Sequence, residues 1–261
     1  MHQNRKTSIP IQHVALLSDI HANLPALEAV YEHAMEQGAQ LFLNAGDTVG
    51  YGPFPNECLD FIRFKKIISV KGDYDRKVLE FPKKKNIFEE KKHPLRVFAF
   101  RWAYEQLNNH NFQNLSNLSE FEKISIESKT LYLTHGSPLS IKAHLGPHTP
   151  QTELVLNKRF VQSDFLVTGN SHVFWKEQVG DTLFINPGSV GRQDDGDSRA
   201  SYVLLSIGNS IQVDHFRVLY DATSLLKAIE VYNLPVEFSY MFENGVNLER
   251  ALIELSKPNH D

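Results

Sequence analysis

"IQHVALLSDIHANLPALEAVYEHAMEQGAQLFLNAGD", Ile11 to Asp47, is the stretch on which the fold turns. IQHVALLSDI reads as a buried strand. LPALEAVYEHAMEQG follows as a helix, with Leu24, Leu27, Val30, Tyr31 and Met35 on one face and Gly38 as its stop. QLFLNAGD is a second apolar strand. The alternation continues with PNECLDFIRF as a helix and KIISVKGD as a third strand. Strand, helix, strand, helix, strand implies βαβ units and a parallel sheet.

Beyond that point the pattern changes. KKKNIFEEKKHP, Lys83 to Pro94, reads as a charge-rich connection whose lysines form a solvated face. PLRVFAFRWAYEQL carries Leu95, Phe98, Ala99 and Trp102 at helical spacing, which favours a helix packed on the core over a lid. From Phe121 strands dominate. EKISIES and KTLYLTHG are neighbours across a tight turn, and Asp164 to Thr168 is a short strand. FWKEQVGDTLFINPGS and ASYVLLSIGNSIQVDHFRVLY are hairpins with Gly180-Asp181 and Gly208-Asn209 at their tips. Helical pattern returns in DATSLLKAIEVY and NLERALIELS. The simplest architecture is α/β, with two sheets packed together and helices outside. One domain spans residues 1–261, with a helical insertion at about 77–118. An exposed strand edge at SYVLLS is the candidate surface for a homo-oligomer.

Composition narrows the class. The chain has 261 residues, 41% hydrophobic and 22% charged, enough for a large core. A formal net charge of −4 argues against binding duplex nucleic acid. Cys58 is the only cysteine, which excludes an internal disulfide and fits a reducing compartment. The apolar run near the N-terminus, Val14 to Leu17, is too short for a signal peptide or a membrane span. A soluble cytoplasmic domain is expected.

Several strands end in polar residues that would be costly to bury for nothing. They are Asp19 and His21, Gly46-Asp47, Gly72-Asp73-Tyr74-Asp75, His135-Gly136, and Asn170 with His172. If the backbone stays extended after Gly169, Asn170 and His172 point the same way. Ligands of open α/β sheets collect at the carboxyl ends of strands. Carboxylates, imidazoles and one amide gathered there make an N/O site for divalent metal.

SDIHANLPALEAV, LNAGDTVGYGPFPNEC, VKGDYDRKV, THGSP, VTGNSH and INPGSVGRQDDGDSRASYVLL together resemble the calcineurin-like metallophosphoesterases, in particular their compact bacterial and archaeal phosphodiesterase branch. The resemblance runs from about Val14 to about Asp221. It implies a four-layer α/β/β/α sandwich of two mixed sheets and a two-metal site that hydrolyses phosphate mono- or diesters with a metal-bridging hydroxide. Carried over by position, Asp19, His21 and His172 would hold the first ion and Asp47 would bridge to the second. Asp73, His135 and Asn170 would complete the second site, where the family pattern has an asparagine and two histidines. Tyr74 stands where the family has a histidine near the leaving oxygen, and the turn GRQDDGD replaces a GQPRDGD-like one.

These departures have chemical consequences. Trading an imidazole for Asn170 and gaining the Asp73 carboxylate makes the second site oxygen-rich, which suits magnesium, manganese or calcium better than zinc; manganese is the expected ion, with magnesium, iron or zinc as alternatives. The alternative is a second site that holds metal poorly. Tyrosine, with an ordinary pKa of about 10, is a reluctant proton donor, so esters with good leaving groups, nucleotide-type ones among them, should suffer least. The rival class is a catalytically impaired binding or scaffold protein on the same fold. A nuclease using the lysines from Lys83 to Lys92 is disfavoured by the acidic balance and the lack of interleaved aromatics. The expected partner is a small-molecule phosphate ester.

Overall fold

The computed structural model describes residues 12–257. Ile11, placed above in the first strand, and the basic N-terminal start lie outside the described residues. β1 (Gln12–Leu17), α1 (Leu24–Glu36), β2 (Leu41–Asn44), α2 (Pro55–Phe64) and the short β3 (Ile68–Ser69) form the expected βαβ series. Asn23 starts α1 by accepting the Ala26 N–H at 3.2 Å, and Pro25 occupies its first turn. β1 pairs in parallel with β2, and β2 with β3.

A helical block follows: α3 (Asp73–Lys91), α4 (Pro94–Gln106) and α5 (Asn109–Asn117). The charge-rich connection expected from Lys83 to Pro94 is mostly the second half of α3. Val78, Phe81 and Phe88 bury one stripe of it, and Lys84–Glu80 and Lys85–Glu89 ion pairs line the solvent side. The run of charges obscured a helical face that, from Lys83 onward, only Phe88 buries. α4 packs through Ala99, Phe100 and Trp102, as a core helix does.

The second sheet comprises β4 (Phe121–Ile126), β5 (Lys129–Thr134), β6 (Phe165–Val167), β7 (Phe174–Val179) and β8 (Thr182–Pro187), with α6 (Gln151–Val161) inserted before β6. The chain then returns to the first sheet with β9 (Ala200–Ile207) and β10 (Ile211–Val218). It closes with α7 (Thr223–Val231), α8 (Val236–Asn244) and α9 (Leu248–Leu255). The orders are β10-β9-β1-β2-β3 and β4-β5-β6-β8-β7, both mixed. The SYVLLS segment is therefore no edge. β9 pairs with β10 on one side and β1 on the other and is buried along its length, because a strand with apolar residues on both faces needs cover on both.

Alternation along β1 explains the layers. Val14 and Leu16 join Leu133, Phe165, Val167 and Ile185 between the two sheets, while Ala15 and Leu17 face Leu27, Val30 and Ile62 of α1 and α2. Leu154 and Val161 of α6 cover Leu166 and Phe184 on the far side of the second sheet. Helix, sheet, sheet and helix stack in that order. Among the described residues no helix is long and apolar enough to cross a membrane.

Candidate metal centre

Both sheets point strand ends at one place. Asp19 and His21 follow β1, Asp47 follows β2, His135 follows β5, and Asn170 and His172 follow β6. The backbone there is not extended. Asp19, His21, Asp47, Asn170 and His172 have φ of 55°, 49°, 53°, 64° and 59°, all left-handed, which corrects the assumption that Asn170 and His172 alternate along a strand. Such conformations cost of order 1–3 kcal/mol each and persist where their surroundings fix them. Here the Asp19 N–H donates to Gly46 O at 2.9 Å and the His21 N–H to Asp47 O at 3.0 Å. The Asn170 N–H donates to Asp19 Oδ2 at 3.0 Å. Gly169 is required by proximity, since a Cβ would lie 1.8 Å from Ser18 Oγ.

Two groups of buried donors converge. Ligand atoms of Asp19, His21 and His172 lie within 4.8 Å of one another, and so do those of Asp19, Asp47 and His135. His172 Nε2 is 3.1 Å from Asp19 Oδ1 and 3.3 Å from His21 Nε2. Asp47 Oδ2 is 3.3 Å from His135 Nε2 and 3.9 Å from His21 Nε2. The carboxylate common to both groups is Asp19, whereas the sequence carry-over gave the shared position to Asp47; Asp47 nonetheless reaches a histidine of each group. Asp19 Oδ1, His135 Nε2 and Asp73 Oδ1 are buried without a hydrogen-bond partner. Buried lone pairs are rarely left so, and a divalent cation is the group that would satisfy several at once. The residues fit a metal.

The imidazoles are set for ligation. Nδ1 of His135 lies 2.8 Å from Ala45 O and Nδ1 of His172 contacts Arg192 O. A carbonyl only accepts, so Nδ1 carries the proton, and in a neutral ring Nε2 presents its lone pair to the centre.

A model of the calcineurin-like phosphoesterase superfamily domain matches residues 13–210. The chain belongs to that family. It is thereby a hydrolase of phosphoric esters in a family dependent on paired metal ions. An uncharacterized protein of Methanocaldococcus jannaschii is 30% identical over 239 residues, covering 85% of this chain and 93% of its own. The phosphodiesterase YfcE of Escherichia coli is 30% identical over 202 residues, covering 72% and 84%. Among solved structures, a metallophosphoesterase from Sphaerobacter thermophilus superposes with a TM-score of 0.74 at 26% identity, covering 91% of this chain and all of that one (100%).

Three positions where this phosphoesterase departs from the family pattern sit apart from the convergent groups. Asp73 belongs to the first turn of α3, not to a strand end, and its Oδ2 pairs with Lys77 Nζ at 2.5 Å. Asn170 donates its amide Nδ2–H to Ala143 O at 2.9 Å and lines the cleft. The Tyr74 hydroxyl is 2.6 Å from that of Tyr51, while the Tyr74 N–H donates to Asp47 Oδ1 at 2.7 Å. Burial pushes the Tyr74 hydroxyl well above its ordinary pKa and raises that of Tyr51 as well. The pair can donate a hydrogen bond but holds its protons.

The cleft at this centre has a volume of about 380 Å³, and its walls include residues that sequence reasoning missed. Arg192 is 7% exposed, pairs with Asp194 at 2.8 Å, and places Nη2 3.3 Å from His172 Nε2. Burial alone would lower its pKa, but Asp194 and neighbouring groups raise it, so the guanidinium stays charged. The signal was the GRQDDGD turn, read only as a small departure. Lys92, Arg96 and Lys142 stand on the same walls. Asp75 accepts N–H bonds from Gly72 and Val49 at 2.9 and 3.0 Å, tying two ligand loops together; burial and the Asp47 charge push its pKa up to about 7.

Burial and charge set the other groups in the metal-free centre. Burial would raise the Asp19 pKa, yet the imidazolium of His172 beside it holds it below the carboxylate range. Burial lowers His21 well below 6.5, with His172 and Arg192 adding to the effect. Burial would lower His135 too, but Asp47 overrides it and pushes its pKa up to about 10.

Proposed function

We propose that this phosphoesterase hydrolyses small-molecule phosphate mono- or diesters, nucleotide-type esters among them, at a two-ion centre. In this reading Asp19, His21 and His172 hold the first ion, Asp47 is shared, and Asp73, His135 and Asn170 complete an atypical second position. The observation that carries the proposal is the set of buried, unpartnered acceptor atoms on Asp19, His135 and Asp73 at one end of two sheets, with Nε2 of His21 and His172 beside them. Bound divalent ions supply a deprotonated water as nucleophile and neutralise the phosphoryl oxygens. The oxygen-rich second position favours manganese.

The chain's own groups do the rest. Arg192, both of whose terminal nitrogens donate to Asp194, keeps a fixed positive charge beside His172 and attracts the phosphoryl group there. Lys92, Arg96 and Lys142 draw an anion into the cleft. The Tyr51–Tyr74 pair steadies the leaving oxygen by hydrogen bonding without protonating it, which favours esters whose leaving groups depart as anions. The sole cysteine, buried and free, accords with a cytoplasmic setting.

The test is hydrolysis of bis(p-nitrophenyl) phosphate by chelator-stripped protein reloaded with single ions. Activity restored by Mn²⁺ above Zn²⁺ at matched occupancy is expected. No turnover with any divalent ion, in protein shown to bind it, would favour the scaffold alternative.

A further inference from the structure

We propose that Lys77 is a tethered cation that competes with the second divalent ion for Asp73, so that this position fills only after the ammonium is displaced. The inference rests on the two-ion reading above and concerns how its weaker half is controlled. Asp73 and Lys77 lie one turn apart on α3, with Nζ 2.5 Å from Oδ2 and side chains 14% (Lys77) and 9% (Asp73) exposed. The ammonium also lies 4.5 Å from the centroid of the Tyr74 ring and 5.6 Å from that of Phe100. Two aromatic rings and a carboxylate therefore hold it, where an ordinary surface lysine would sample many rotamers.

The rest of Asp73 is consistent with a ligand held in reserve. Its Oδ1 is buried and unpartnered, yet Asp73 joins neither convergent group. While the pair is closed, the two charges cancel and the position offers the cleft a dipole. Opened, it offers a full carboxylate to a hard cation. A second ion must break a partly buried, charge-assisted hydrogen bond to gain that ligand. Such a bond is worth about tenfold or more in a binding constant. Lys92 and Arg96 line the same cleft, and its Asp194 and Glu249 carboxylates are already paired with Arg192 and Arg96, so a displaced ammonium exchanges a close ionic partner for a more crowded one.

Calorimetric titration of chelator-stripped protein with Mn²⁺, followed by electron paramagnetic resonance to separate isolated ions from coupled pairs, tests this. Wild type should bind one ion tightly and a second at least about tenfold more weakly. Lys77→Gln should tighten only the second by about tenfold, and the double variant Asp73→Ala with Lys77→Gln, which removes the ligand altogether, should lose that gain. Lys77→Met, which keeps the stem against the rings, should behave as Lys77→Gln does and guards against a packing artefact. Lys92→Gln removes a charge from the same cleft without touching Asp73 and should change the second constant by less than about threefold. Two equal sites in wild type, a second constant indifferent to Lys77, a gain that survives loss of Asp73, or an equal gain from Lys92→Gln would each overturn the proposal. If wild type bound no ion at all, the two-ion reading itself would fall. If the first ion bound and only the Lys77 effects were missing, that reading would stand without this one.

Discussion

Replacing Asp47 by asparagine separates its role as a ligand from its role in the fold. Its Oδ1 accepts the Tyr74 N–H at 2.7 Å, a bond that an amide oxygen can keep. Its Oδ2 faces His135 Nε2 at 3.3 Å, where the variant would place an amide nitrogen. Burial raises the Asp47 pKa even though His135 pulls it down, so the metal-free fold carries a desolvated charge that the variant removes. Losing one partner of a buried ion pair usually costs about 3–5 kcal/mol. Here His135 can release its proton at pH 8 and leave no uncompensated charge, so the metal-free midpoint should move by no more than a few degrees. An ion at about one hundred times its Kd adds about 2.7 kcal/mol to the folded state. At about 2–4 °C per kcal/mol for a domain of this size, wild type should melt about 5–10 °C higher with Mn²⁺. Asp47→Asn should lose most of that shift, as read by scanning calorimetry in chelator and in Mn²⁺. A variant that keeps the full shift would refute the ligand assignment, and a large drop without metal would refute the charge argument.

Gly72→Ala would put a Cβ 2.0 Å from Asp47 Oδ1 and 2.1 Å from Asp47 N, so a loss of about 3 kcal/mol or more in urea unfolding is expected; a wild-type midpoint would contradict the close approach. Arg192→Gln should lower kcat about 10²-fold with metal content unchanged by elemental analysis, whereas parallel loss of metal would mean that Arg192 supports the ligands and not the phosphate. His215, stacked on Phe174 at 4.0 Å, has its pKa lowered to about 4, chiefly by burial and then by Arg217. The unfolded chain binds that proton more readily, so the stabilisation is complete above about pH 6.5 and is lost as pH falls towards 4; His215→Phe should flatten that acid limb of the stability profile.

The layers of the fold were legible because β1, α1 and β2 state their faces by period, and because the turns of the β7–β8 and β9–β10 hairpins carry glycine. α6 and α8 escaped notice: α6 begins at Gln151 after a proline and mixes its apolar residues around the axis, with Leu154 buried but Leu156 and Phe160 more than half exposed. Asp19, His21, Asp47, His135 and His172 announced themselves as polar residues at the ends of apolar strands. The left-handed backbone of Asp19, His21, Asp47 and His172 did not, since nothing in an aspartate or histidine requires positive φ; it follows from contacts between distant loops. Arg192 and Lys77 were equally silent. An arginine in a turn and a lysine in a charged helix look like surface until packing brings the one against His172 and the other against Tyr74.

The donors of the centre come from opposite sheets, and that has a mechanical meaning. His21 and His172 touch across 151 residues of chain. An ion gripping both would act as a rivet through the seam between the layers, closing a loop long enough that a covalent link there would be worth about 4–5 kcal/mol on the chain-entropy scale. Chelation should therefore do more than empty a reaction site: it should let the two layers part at that end first. The loaded protein would unfold as one body, and the stripped one would open from the rim where the chemistry resides.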